Sequence, residues 1–268
     1  MSAPAPTISP ELRALLRRVK LGQALDTLPE RLALAKARSL GHAELLELVL
    51  SDEVTRRDTT SADLRARRAG LDPTMRLENW DDTAEVTYDR ATLDELVSLR
   101  FVGAAHNALI LGPVGVGKTF IATALGHAAV RRRVSVHFER ADQLFKRLKA
   151  SRLDLSHDVE IRKLIRCDLL VVDDLCLHAL DAADTADLYE LIVERHGRAA
   201  TIATSNREPI KAHRFARTCA RWRLNDTGSP RLECVLGLGG RVRAGGAQKG
   251  SGGSRQVSPV MGLLRSHR

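Results

Sequence analysis

Gly112-Pro113-Val114-Gly115-Val116-Gly117-Lys118-Thr119 matches the pattern G-x-x-x-x-G-K-[ST] at every fixed position. Each fixed residue answers a need of a bound triphosphate. The glycines let the backbone turn tightly, so that a row of N–H groups faces the β- and γ-phosphates. Lys118 sets a positive charge against the phosphate oxygens, and Thr119 offers a hydroxyl to Mg²⁺. The helix that follows adds the favourable end of its dipole. Average residue usage would produce such a match by chance on the order of one time in a hundred, so the flanking sequence has to carry the rest. All eight residues are candidates for holding ATP, with Lys118 acting on the transferred phosphate.

The flanks have the required form. Ala108-Leu109-Ile110-Leu111 is a continuous apolar run, as expected of a strand buried on both faces. Phe120 to Arg133 carries Ile121, Leu125, Ala128 and Ala129 at helical spacing, so the loop lies between strand and helix. A second buried strand, Leu169-Leu170-Val171-Val172, ends in Asp173-Asp174. Asp173 is a candidate ligand of Mg²⁺, with Thr119, and Asp174 a candidate to orient or deprotonate the attacking water. A helix cap or a turn after the strand would also use paired aspartates; their place behind a phosphate loop favours the metal site. A third strand, Ala200 to Thr204, leads to Ser205-Asn206-Arg207. Asn206 is either a turn residue or a polar contact to the γ-phosphate or its water.

Strands alternating with helices from 106 to 206 predict an α/β P-loop NTPase fold, a mostly parallel sheet with helices on both faces. The expected order is strand 108–112, helix 118–131, strand 134–138, helices near 141–149 and 158–166, strand 168–173, helix 183–196 and strand 200–204. Ligands bind at the carboxyl ends of such strands, where Lys118, Asp173 and Asn206 all fall.

Before this core the sequence reads as a small all-helical domain over 1–75, joined by a connecting segment, 76–105. Ser9-Pro10 is a helix start, Ser as N-cap and Pro in the first turn. Leu12, Leu15, Leu16 and Val19 share one face. Leu21, Leu25, Leu28 and Leu32 form a second stripe, interrupted or re-initiated at Pro29. A third helix, from about Ala43 towards Gly70, is expected to turn Leu45, Leu46, Val49, Leu50 and Val54 inward. Arg56, Arg57, Arg65, Arg67 and Arg68 could meet DNA phosphates, or form a solvated face balanced by Asp52, Glu53, Asp58 and Asp63. Trp80 reads as a packing residue at the domain junction or near the base.

The formal charge of +9 is unevenly placed. Residues 209–268 hold twelve Lys and Arg against Asp226 and Glu233, a net of +10, so the other 208 residues net −1. The high overall charge therefore says little about the nucleotide-binding core. The four cysteines, Cys167, Cys176, Cys219 and Cys234, have no zinc spacing, and read as incidental thiols of a reducing, cytoplasmic setting. No stretch has the length of a membrane span, and Met1 to Pro10 lacks the form of a signal peptide.

Beyond the generic loop, residues 9–208 resemble the IstB-like ATPases. The resemblance is carried by Arg67-Arg68-Ala69-Gly70, Leu77-Glu78-Asn79-Trp80-Asp81, the loop itself, Val172-Asp173-Asp174-Leu175, Asp187-Leu188-Tyr189-Glu190-Leu191-Ile192 and Thr204-Ser205-Asn206-Arg207. These are bacterial transposition helper proteins of the AAA+ class, related to the DnaC helicase loaders. The resemblance implies an ATP-dependent homo-oligomer that assembles on double-stranded DNA and works with a separate transposase. It also makes Asn206 the first sensor of nucleotide. A helicase loader, or an inert DNA-binding module of helices and basic tail, are the alternative functions. Cys176 departs from the family, which carries Gly there.

After Pro209 the resemblance stops. The family continues with helices, an arginine finger serving the neighbouring subunit and a last strand beside the phosphate-loop strand. Here 209–268 becomes a basic, Gly/Arg/Ser-rich tail holding ten of the chain's 19 glycines. It lacks a sustained period, and only Leu232 to Leu236 could pass for a strand. Such a segment is expected to be disordered, and a change of reading frame explains it better than a natural nucleic-acid-binding arm. The expectation that follows is an exposed apolar edge at 108–112, with ATP binding but weak turnover.

Overall fold

The apolar runs and the helical patterns between them build one sheet with helices on both faces. The computed structural model describes residues 8–80, 86–175, 179–206 and 232–240. Along the chain come α1 (Pro10–Arg18), α2 (Ala24–Arg38), α3 (His42–Arg68), a single 3₁₀ turn (Leu77–Asn79), β1 (Val86–Tyr88), α4 (Arg90–Ser98), α5 (Arg100–Gly103) and β2 (Asn107–Leu111). Then follow α6 (Lys118–Arg131), β3 (Val136–Arg140), α7 (Ala141–Leu153), α8 (His157–Arg166), β4 (Leu169–Asp173), α9 (Ala182–Arg195), β5 (Ala200–Ser205) and β6 (Leu232–Gly240). The strand order is β1-β6-β2-β5-β4-β3. All neighbours are parallel except β1, which runs antiparallel to β6.

Burial on both faces explains why the strands read as unbroken apolar runs. Along β4, Leu169 and Val171 enter a cluster with Ile110, Ile121, Leu125, Ile202 and Leu236. Leu170 and Val172 point the other way, into a cluster with Leu144, Leu148, Ile161, Leu164, Leu188 and Leu191. The strand expected at 134–138 starts two residues later. Val134 instead donates its N–H to Ala129 O at 3.1 Å and closes the end of α6, so pairing begins at Val136↔Leu169.

The largest correction concerns the sheet edge. The run 108–112 is not exposed, because β6 lies beside β2, with Ala108 opposite Cys234 and Ile110 opposite Leu236. Leu236 and Leu238 are buried in the core cluster. Part of the tail expected to be disordered is therefore a central strand. The physical reason is that β2 offers a complete row of backbone donors and acceptors, and any extended segment with apolar residues on its inward face satisfies them. Residues 207–231 and 241–268 lie outside the described residues, as does Cys176, and with them fall the tail's other expected features, including the expected loss of the arginine finger.

The N-terminal helices form as expected at their start: Ser9 caps α1 and its Oγ accepts from the Leu12 N–H at 3.1 Å. Pro29 neither interrupts nor restarts the second helix; α2 runs through it, held by Leu28, Ala24 and Val49 packing together. The inward face of α3 is narrower than expected. Leu45 and Val49 pack towards α2, whereas Leu46, Leu50 and Val54 are 62%, 48% and 59% exposed. An ion pair marks the contact: Arg31 of α2 holds Asp52 of α3 at 2.6 Å, and the neighbouring Glu53 is buried and paired with Arg56 and Arg57 of its own helix.

The end of α3 belongs to the core. Ala62, Ala66, Ala69 and Leu71 pack on Val130 of α6. Ala69 O accepts the Phe138 N–H at 2.7 Å, covering the free edge of β3. Gly70 (φ +81°) has no room for a side chain, because a Cβ would lie 2.8 Å from Phe138 O. The segment expected to be a connector supplies β1, α4 and α5, and its Leu96, Leu99 and Phe101 are core residues. No helix among the described residues is long and apolar enough to cross a membrane.

If β6 completes the sheet, Leu236→Ala lowers the unfolding free energy by about 2–5 kcal/mol in urea titration. Val193→Ala, at an exposed position of α9, changes it by no more than about 0.5 kcal/mol.

Candidate nucleotide-binding site

Strand order brings the loop and the paired carboxylates together. β5 lies between β2 and β4, so the carboxyl ends of the three strands converge at one rim. Residues 112–117 leave β2 and turn into α6, whose N-cap is Gly117. Gly115 and Gly117 have φ of +86° and +91°, a region that L side chains rarely occupy. Gly112 is required for another reason: a Cβ there would lie 2.5 Å from Leu238 O of β6. The loop thus rests against β6, whose Leu232 to Leu236 were the one part of the tail that could pass for a strand. Pro113, Val114 and Gly115 are exposed at its crest.

Lys118 is buried to 5% exposure and donates from Nζ to Pro113 O at 2.7 Å. Its ammonium is folded back on its own loop. Burial pushes its pKa down, and the nearby Asp174 and Asp173 carboxylates pull it back up. Thr119, the next residue of α6, points its hydroxyl at Asp173, 3.0 Å from Oδ1 and 2.9 Å from Oδ2. Asp173 closes β4 and is 2% exposed. Among the described residues it forms no ion pair; its partners are the hydroxyls of Thr119 and of Thr204, the latter 2.6 Å from Oδ1. A buried carboxylate held by hydroxyls alone suits a small hard cation, since Thr119 and Asp173 offer only oxygen donors.

Asp174 follows with φ +54°, so its carboxylate turns out of the line of β4. Its N–H donates to Thr204 Oγ1 at 2.8 Å. Asn206, just past the end of β5, donates from Nδ2 to Asp174 Oδ1 at 3.4 Å, a long contact. Every site residue expected from the sequence, Gly112 to Thr119, Asp173, Asp174 and Asn206, lies at this rim.

One feature escaped sequence reading, and a second was expected only as packing at the domain junction or near the base. Thr204 sits inside a strand where a β-branched residue is unremarkable, and only the sheet order reveals what its hydroxyl faces. The second is an aromatic wall. Trp80 stands 5.3 Å from Phe120, centroid to centroid, and 6.2 Å from Tyr88 in a T-shaped pair. A Cβ at Gly117 would meet two carbons of its ring at 3.0 Å, which places the indole against the phosphate loop.

With this geometry in view, the comparisons are specific. The IstB-like ATP binding protein family matches residues 14–214. An insertion-sequence ATP-binding protein of Mycobacterium tuberculosis is 38% identical over 202 residues, covering 75% of this chain and 80% of its own. The ATP-binding protein of insertion sequence IS1162 from Pseudomonas fluorescens is 33% identical over 208 residues, 77% of this chain and 90% of its own. Among solved structures, a DnaI aligns over 61% of this chain and 90% of its own at 21% identity, with a TM-score of 0.46.

Because a methyl group at position 112 must displace the backbone of β6, Gly112→Ala should weaken ATP binding about tenfold and destabilise the fold by about 1–3 kcal/mol. Titration calorimetry and urea unfolding on one preparation would show whether both losses occur together.

Proposed function

The chain belongs to the family of IstB-like ATP-binding proteins, and from that premise we propose that it is the ATP-dependent helper of a DNA transposition system. In this reading it acts in the cytoplasm, assembles as a homo-oligomer on double-stranded DNA and engages a separate transposase. The observation that carries the nucleotide part is the meeting of Thr119 and Asp173 at 2.9–3.0 Å beneath an anion-binding loop. Relatives named as insertion-sequence ATP-binding proteins support the transposition part.

Each residue then has a task. The backbone N–H groups of 112–119 and the start of α6 take the phosphates. Lys118 exchanges Pro113 O for a phosphate oxygen, which gives its buried ammonium a direct charge-assisted contact. Thr119 and Asp173 would hold Mg²⁺, which when bound neutralises charge on the phosphate oxygens. Asp174 positions the attacking water, and Asn206 steadies Asp174 and reports on the γ-phosphate. Trp80, backed by Phe120 and Tyr88, supplies an apolar face for the base.

The test begins with a fluorescent ATP analogue. Lys118→Ala is expected to weaken binding about 10- to 100-fold, the loss of one charge-assisted contact to phosphate. The tryptophan emission of a Trp222→Phe chain, which keeps Trp80 alone, should change as ATP is added. Sedimentation with a duplex of several tens of base pairs should then show larger complexes with a non-hydrolysable ATP analogue than with ADP. Wild-type protein that binds no ATP, or binding indifferent to Lys118→Ala, would overturn the proposal.

A further inference from the structure

We propose that Thr204 is a positioning residue that holds Asp173 and Asp174 in their two different tasks. The inference rests on the ATP–Mg²⁺ reading of the site. It starts from a single hydroxyl, completely buried, on the strand that separates the phosphate-loop strand from the carboxylate strand.

That hydroxyl is used twice. A carboxylate only accepts hydrogen bonds, so Thr204 Oγ1 donates to Asp173 Oδ1 at 2.6 Å. Its proton is thereby committed, and its lone pair accepts the Asp174 N–H at 2.8 Å. The backbone of the same residue adds a third tie, since Thr204 O accepts the Leu175 N–H at 2.8 Å. Three consecutive residues of the corner after β4 are thus fastened to one residue of β5.

The fastening falls on a backbone conformation of raised energy. Asp174 occupies left-handed backbone at φ +54°, a region that costs a non-glycine residue some free energy, though less for Asp than for most, and the ties to Thr204 help to hold it there. The donor at Asp173 matters equally. Of its two hydroxyl partners, Thr119 belongs to the phosphate loop and is expected to turn to the metal. Thr204 lies off the loop, so it is the partner that can hold the carboxylate's orientation whether or not nucleotide is present. A buried threonine in this fold does not require such contacts for its own sake: Thr123 Oγ1 is buried without any hydrogen-bond partner.

The test compares Thr204→Val, which keeps the shape and removes the hydroxyl, with Thr204→Ser, which restores it. Affinity for N-methylanthraniloyl-ADP is measured in EDTA and in Mg²⁺. The expected result is that Thr204→Val stays within about twofold of wild type in EDTA but loses about tenfold of the gain that Mg²⁺ gives, and that Thr204→Ser recovers it. In the nucleotide-free protein, amide exchange at Asp174 should be faster in Thr204→Val and slow again in Thr204→Ser. Should the valine variant fail to fold, Thr204→Cys, with a weak donor in the same volume, carries the same comparison. A folded variant with the wild-type Mg²⁺ gain, or one that loses affinity equally with and without Mg²⁺, overturns the positioning role and leaves the ATP site standing. A wild-type chain that binds no nucleotide overturns the ATP reading and this role with it.

Discussion

Asp173 is a carboxylate taken almost wholly out of water with no ion pair among the described residues, and much of the structure can be understood as the means of keeping it there. Burying an ionised group is costly unless hydrogen bonds or a counter-charge offset the loss of hydration. The offset here comes from two hydroxyls, Thr119 and Thr204, and from the lysine that Asp173 helps to keep charged. Those three groups sit on different elements, α6 for Lys118 and Thr119 and β5 for Thr204. They converge only because β5 is inserted between β2 and β4. An order with β2 and β4 as neighbours would leave no strand to carry Thr204 between them. The sheet order is thus a condition of the chemistry as well as a way of burying apolar surface.

The same constraint separates what could be read in the sequence from what could not. Gly112 to Thr119, Asp173 and Asp174 are legible because their chemistry is local: a tight turn, a charge and a hydroxyl follow one another along the chain. Thr204 contributes through sheet order, a property of pairing across tens of residues, and it leaves no mark on its own neighbourhood. Trp80 is intermediate. Its large apolar side chain announces that it packs somewhere, but only the fold sets it against Gly117 and Phe120. In α3, Leu46, Leu50 and Val54 misled because apolar periodicity gives a stripe wider than the contact. The Arg31–Asp52 and Glu53–Arg56 pairs, which mark the contacting part, join side chains on two helices or within a turn.

β6 shows the opposite case, in which composition argued against an element that pairing produces. Leu232 to Leu236 could pass for a strand, but the glycines that follow and the tail around it argued against an ordered element. A parallel strand between β2 and β1, however, is specified mainly by the backbone it completes and by a few inward side chains. Leu236 and Leu238 supply that inward set. The match at Gly112 runs in the same direction. The first glycine of the phosphate loop would be free to carry a side chain if nothing lay beside it, and it is the carbonyl of Leu238 that removes the room.

Helix α6 joins the two ends of this arrangement. It begins at Lys118 and Thr119 and reaches the helical domain fourteen residues later, about 20 Å away at 1.5 Å per residue. Near its middle, Gly126 lets Leu71 press against the helix backbone, where a Cβ would come within 2.7 Å of Cδ2. His127 meets Asp72 O through Nε2 at 2.7 Å. At its end Val130 enters the alanine seam of α3. Small residues along this side of α6 and at the end of α3 let the two helices pack closely. The helix that opens at the phosphate loop therefore closes against the end of α3. Within α3 the first half, with Asp52 paired to Arg31, packs on α2, and the alanine-lined second half packs on α6.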